Sequence, residues 1–250
     1  MAHQYWCFDS SARNPERLSA RLRVLSEFDG VTWDHDSQEL FVHELRSAGD
    51  YQGEDLSPTR GREFVGPLNK LGFCVAYASL KPDPRVRLTP SGRAFAAADT
   101  AEERARLLLH QLLKWQLDNP LPGTKGYDGW DIVPFVAFLD LLLRLEGLSL
   151  DETGLFACTI KRGEDLPKWA DACRERREQQ RRGGEAQVER WDHSWLRTSL
   201  PEPRLTKDSA ERHRGNLLAY RHNVQWFSCY TGLVVRGGRG AGYVIPSRLQ

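Results

Sequence analysis

The sequence predicts a mainly α fold with short β-hairpins, on three observations. Helix-capping residues followed by apolar positions at three- and four-residue spacing recur along most of the 250 residues. Extended, β-branched segments are confined to residues 73–90 and 233–246, and each reads as strand, turn and strand. Each also follows a helix, so the order helix then hairpin occurs twice, without a visible sequence repeat.

In chain order, Asn14 as N-cap, Pro15 at the first helical position and Glu16 announce a first helix. Leu18, Leu22 and Leu25 form its apolar stripe, flanked by Arg13, Arg17 and Arg21, and Gly30 ends it. A second helix is expected from Asp36 to Ala48, with Leu40, Phe41 and Leu45 inward and Gly49 closing it. Ser57-Pro58 opens a third, carrying Phe64, Val65, Leu68 and Leu71 and kinked or broken by Pro67. Residues 73–78 and 86–90 make the first hairpin, and Thr89-Pro90 caps a short helix. Thr100 and Glu103 have the spacing of a capping box for a helix reaching Leu117.

Residues 118–131 are loop by composition and divide the chain into subdomains 1–117 and 132–250. Asp131 starts an apolar helix to Glu146. Ser149 and Glu152 form a second capping box, for a helix through Cys158, giving a helix-turn-helix. Residues 164–182 form a helix so charged that it is read as solvent-facing, with Gly183-Gly184 as a linker. Asp208 caps a long helix to Tyr230, and the second hairpin follows. A helix followed by a basic hairpin is the order of a winged helix, in which the helix enters the major groove and the wing touches the backbone. The full expectation is therefore tandem winged-helix or helix-turn-helix-like subdomains.

Composition narrows the function. Hydrophobic residues at 40% with charged residues at 28% exclude overall disorder, and the apolar run 132–145 is too short and too interrupted to span a bilayer. The N-terminal stretch lacks an apolar segment behind a basic start, which places the chain in the cytoplasm. Five dispersed cysteines without a C-x-x-C pair read as small buried hydrophobes. The net charge of +1 hides an asymmetry: residues 1–150 carry 17 Lys and Arg against 21 Asp and Glu, and residues 151–250 carry 18 against 13. A basic C-terminal region and 28 arginines suit a polyanion, although a GC-rich genome would also spell Arg for Lys.

Catalytic patterns are missing. Pro82-Asp83 is followed by no D/E-x-K triplet, and Thr159-Ile160-Lys161 lacks the acid, so no PD-(D/E)xK centre forms. The sequence holds no H-E-x-x-H, no G-x-x-x-x-G-K-[ST] loop and no G-x-S-x-G elbow. Binding to DNA is the expectation, with Ser57, Thr59, Arg60 and Arg62 at the start of the first recognition helix reaching base edges. Arg85 and Arg87 in the first wing, and Arg236 and Arg239 in the second, meet phosphates. Arg13 and Arg17 touch backbone or a minor groove, and Arg212 and Arg214 lie on the second long helix. Each of these would equally serve as a surface solubility charge.

Several strings in order carry a family resemblance: Trp6 and ARNPERL (12–18), LRVLSEFDGVTWD (22–34), QELFVHELRSAG (38–49), PTRGREFV (58–65) and LNKLGFCV (68–75). They continue in RLTPSGRAF (87–95), LLHQLLKWQLDNP (108–120), WFSCYTGLVVRG (226–237) and YVIP (243–246). Leu112–Pro120 and Tyr230–Val234 are the most telling. The chain resembles the N-terminal, DNA-recognition half of the AlwI-type family of type IIS restriction and strand-nicking endonucleases. The resemblance implies recognition of a short asymmetric duplex sequence by winged-helix-like subdomains. It also implies cutting by a separate C-terminal PD-(D/E)xK domain that uses Mg2+ and is expected to lie outside this chain. Double-stranded DNA and a nuclease domain or subunit are the expected partners; no catalytic or metal-binding residue and no cofactor is expected within it. A winged-helix transcription regulator, dimeric on a palindrome, and a protein-interaction scaffold are the competing readings.

Overall fold

The computed structural model of the chain describes residues 5–6, 14–77, 83–118, 127–200, 207–237 and 242–246, without the side chains of 207–210 and 218–220. The described residues are mainly helical, with two small antiparallel strand pairs. They fall into two compact units: Phe8–Trp115 with Asn119–Lys125, and Gly126–Gln250 with Met1–Cys7 and Gln116–Asp118. Among them, no helix is long and apolar enough to cross a membrane.

In the N-terminal unit, α1 (Pro15–Ser26) begins as its sequence dictates, with Asn14 Oδ1 accepting from the Glu16 N–H at 3.0 Å. Leu18, Leu22 and Leu25 are fully buried. Arg21 is not one of the flanking surface charges: three residues after Leu18 and four before Leu25, it shares their stripe. Its guanidinium pairs with Asp50 at 2.9 Å and lies 4.4 Å from the Phe64 ring centroid. In α2 (His35–Ser47) the inward face is Gln38, Phe41, Val42 and Leu45; Leu40 falls off that 3.6-residue stripe and is 52% exposed.

Helix α3 (Pro58–Lys70) runs unbroken through Pro67. Only three residues follow the proline, so its ring removes one hydrogen bond near the end rather than mid-helix. It lies close against α2, and a Cβ on Gly61 would stand 2.6 Å from the Gln38 carbonyl oxygen. β1 (Cys74–Val75) and β2 (Arg87–Leu88) pair antiparallel. A third extended segment joins them: Gly30 N–H donates to Val86 O at 2.8 Å, Val86 N–H to Val31 O at 2.9 Å, and Thr32 bridges Arg85. Thr89 caps α4 (Pro90–Ala97) and Thr100 caps α5 (Ala101–Leu112). The last helix stops short of Leu117, which instead bridges Ile132 in the C-terminal unit.

The C-terminal unit opens with α6 (Pro134–Leu145), three residues later than the expected Asp131, because the residue before Pro134 is held extended and Asp131 bridges Arg162. After it, Leu148 pairs with Tyr243. The Ser149/Glu152 capping box starts α7 (Leu150–Leu155) with both arms formed, and a 3-10 turn, Ala157–Thr159, replaces the expected last helical turn. Trp6 anchors here, its Nε1 donating to Ile160 O at 2.8 Å.

Helix α8 (Leu166–Ser199) corrects the reading of a solvent-facing helix ending in a linker. The backbone turns at Gly184 (φ 67°), and helix resumes to Ser199. A straight helix would hold Arg176 and Asp192 about 24 Å apart, yet they are hydrogen-bonded at 2.6 and 3.0 Å. Likewise the Trp169 and Trp195 ring centroids lie 5.3 Å apart, so the two arms fold back as a hairpin.

Helix α9 (Lys207–Tyr230) begins one residue before the expected cap Asp208. It approaches α7 so closely that a Cβ on Gly154 would lie 3.0 Å from the Leu217 carbonyl oxygen. β3 (Val235–Arg236) and β4 (Tyr243–Val244) pair antiparallel, and Leu148 adds a bridge to Tyr243. Cys74, Cys158 and Cys173 are buried and Cys229 is half-buried; Cys7 lies outside the described residues.

Candidate nucleic-acid interface

In the N-terminal unit, Ser57, Thr59, Arg60 and Arg62 come together on the first turns of α3. Ser57 occupies the N-cap position without a side-chain cap bond, and its N–H donates to Asp55 Oδ1 at 3.0 Å. That hydrogen bonding, aided by Arg60, holds the Asp55 carboxyl below its ordinary range. Arg60 bonds Asp55 at 3.3 Å and also Glu63, while Arg62 bonds Gln38 Oε1 and Thr59 Oγ1, each at 2.9 Å. Two arginines here face two carboxylates. On the hairpin, Arg85 and Arg87 both pair with Asp83. Such exposed pairs contribute at most about 1 kcal/mol, so a phosphate can take the arginines, but the carboxylates remain beside it. Arg17 is exposed on α1, without a partner among the described residues, and Arg13 lies outside them.

The C-terminal unit contains a cleft of about 1120 Å³, walled by the α6–α7 turn, both arms of α8, α9 and the β3–β4 hairpin. Arg176, Arg177, Arg214 and Arg236 line it together with Glu146, Asp151, Glu152, Glu185 and Glu189. Several of these charges are committed. Burial alone would lower the Arg176 pKa, but Asp192, Glu152 and Asp151 outweigh it and hold it above the ordinary value. Arg177 clasps Glu152 at 2.8 and 3.0 Å and donates to Leu145 O and Gly147 O. Burial would raise the Glu152 carboxyl, but Arg177 and the Ser149 N–H reverse that and hold it low. Asp151 pairs with Arg221.

Arg214 and Arg236 have no such partner among the described residues, and the Arg214 Nε is buried without a hydrogen bond. Arg212 is exposed on α9, and Arg239 lies outside the described residues. The structure thus brings Ser57, Thr59, Arg60 and Arg62 together on α3, Arg85 and Arg87 together at Asp83, and Arg214 and Arg236 together in this cleft, while Arg17 and Arg212 join none of these groups. The carboxylates and Gln180 of α8 in the cleft were not legible in a segment that reads as solvated. A Mg2+ site does not fit: among the described residues no group of three or more His, Cys, Asp or Glu could hold a metal ion.

The family model of the AlwI restriction endonuclease matches residues 69–243, well over half of the chain. The 4-diphosphocytidyl-2-C-methyl-D-erythritol kinase of Bradyrhizobium sp. strain ORS 278 is 36% identical over 104 residues, which cover 38% of this chain and 34% of that protein. The same kinase of strain BTAi1 is 35% identical over the same extent. The chain spans about a third of the length of these curated relatives.

Proposed function

Because the chain belongs to the AlwI restriction endonuclease family, we propose that it recognises a short asymmetric sequence in double-stranded DNA, as a type IIS restriction or nicking endonuclease does, with cleavage supplied by a separate nuclease domain or subunit. Each unit serves as one winged-helix-like recognition subdomain. One observation carries the reading: the two units share an order of parts. In the first, α1 is followed by Thr32 bridging the hairpin, then by α2, α3, β1 and β2. In the second, α6 is followed by Leu148 bridging the hairpin, then by α7, the α8 insertion, α9, β3 and β4. A helix, a third strand, two further helices and a two-stranded wing is the winged-helix arrangement, with α3 and α9 as recognition helices.

Arg17, Ser57, Thr59, Arg60, Arg62, Arg85 and Arg87 would make the contacts of the first subdomain, and Arg212, Arg214 and Arg236 those of the second, with Arg13 and Arg239 alongside. The kinase relatives match over about a third of their length, too little to carry a phosphotransferase reading to this chain. Selection of bound duplexes from a random pool tests the proposal. Enrichment of one asymmetric motif, weakening steeply with salt, is expected, with no cutting by this chain in Mg2+. No enriched motif at low salt refutes sequence-specific recognition.

A further inference from the structure

We propose that the cleft of the C-terminal unit reads nucleobase edges, with Glu185 and Glu189 of α8 as specificity-determining acceptors opposite the donors Arg214 and Arg236. The inference rests on the DNA-recognition reading above and adds residues to it that a basic-patch argument would reject.

Its starting point is the sorting of charges in the cleft. Arg176 is taken by Asp192, Arg177 by Glu152, and Asp151 by Arg221. Among the described residues, the lining charges left without an ion-pair partner are two guanidinium groups, Arg214 and Arg236, and three carboxylates, Glu146, Glu185 and Glu189. A groove built for the phosphate backbone alone is lined by cations, because affinity there comes from displaced counterions. Here four arginines meet five carboxylates, and the uncommitted carboxylates outnumber the uncommitted arginines. Such a wall repels a bare polyanion.

A ligand that suits it presents hydrogen-bond acceptors and amino donors side by side. Base edges do so: guanine O6 and N7 accept two bonds from one arginine, and the cytosine N4 amino group donates to a carboxylate. Glu185 and Glu189 are four residues apart, so both project from one face of the second arm of α8. That arm is rooted by the buried Arg176–Asp192 pair and by Trp195, whose ring centroid lies 5.3 Å from that of Trp169 and 5.8 Å from that of Phe156. Its carboxylates therefore stand on a rigid element, as a reading site requires.

The test compares the wild-type chain with Glu185→Gln, Glu189→Gln and the double variant on every single-base variant of the selected duplex, at several salt concentrations. Thermal melting confirms that these exposed substitutions leave the fold intact. Removing a carboxylate acceptor changes discrimination at one or two positions by roughly 5- to 150-fold, while the slope of log K against log salt stays constant. Arg214→Ala or Arg236→Ala changes discrimination at neighbouring positions. A uniform gain in affinity for all sequences would show that the carboxylates merely face phosphates, and it overturns the proposal. So does unchanged preference in the double variant, which would leave the cleft to a protein partner. A wild-type chain that enriches no duplex overturns the recognition reading itself, and this inference with it.

Discussion

Replacing Asp192 by Ala tests what holds the two arms of α8 together. The Asp192 carboxylate is fully buried and its partner Arg176 is 7% exposed, so neither charge has water to fall back on. Two charge-assisted hydrogen bonds, at 2.6 and 3.0 Å, join them. Removing the carboxylate strands a desolvated guanidinium, which costs about 3–5 kcal/mol, a large fraction of the roughly 5–15 kcal/mol that stabilises a typical domain. Replacing both residues, as Arg176→Met with Asp192→Leu, restores most of that loss, because an apolar pair of similar volume has no charge to solvate. Urea unfolding followed by tryptophan fluorescence at neutral pH measures both, with Trp169, Trp191 and Trp195 reporting on the arms. A loss below about 1 kcal/mol in the Asp192→Ala protein, or a double variant as weak as the single one, would refute the claim that a buried pair fastens the fold-back.

Three other perturbations follow from the structure. Glu152 is held below its ordinary value of 4.5, so its stabilisation is complete above that value and is lost as pH falls through the depressed folded one. Glu152→Gln should therefore flatten the acid limb of a stability–pH curve by up to about 1.4 kcal/mol per pH unit, and an unchanged limb contradicts the pairing with Arg177. In Gly242→Ala, a Cβ would lie 2.0 Å from the Leu148 carbonyl oxygen at a φ of +65°. Hydrogen exchange should show loss of protection at Leu148 and Tyr243 with a cost of about 2 kcal/mol or more, while the Ala76 amide in the other unit keeps its protection. Gln225 is 1% exposed, and both its amide atoms lack a partner. Gln225→Leu should raise the unfolding free energy by about 1–3 kcal/mol, and a loss in calorimetry would mean that the amide is satisfied in solution.

Local chemistry made much of the fold readable. Asn14, Thr89, Thr100 and Ser149 each accept the N-terminal hydrogen bond that their position announces, because capping involves residues two or three apart. Both hairpins were legible for the same reason. What escaped depends on contacts far apart in sequence. Arg21 reads as a surface charge until Asp50, 29 residues on, arrives beside it. The fold-back of α8 was hidden because Gly183-Gly184 marks a break without giving its angle, and the charged run 174–182 masks the apolar spacing of Trp169, Ala170 and Cys173. The bridges that flank each hairpin are not legible in the sequence, because one bridged residue, Thr32 or Leu148, leaves no alternating pattern. In the candidate interface the arginines announced themselves, but which of them are neutralised, and which carboxylates stand free, is settled only by packing.

The hairpin of α8 enters and leaves the C-terminal unit at nearly one place, its first and last turns bound together through Trp169 and Trp195, while α7 and α9 meet one another directly at Gly154 and Leu217. The exposed turn of this hairpin, at 183–184, can lengthen or shorten, whereas its arms are tied into the unit by Arg177 on Glu152 and by Trp169 on Thr159. Insertions at that turn are thus a route to altered target choice that leaves the buried contacts of both arms in place.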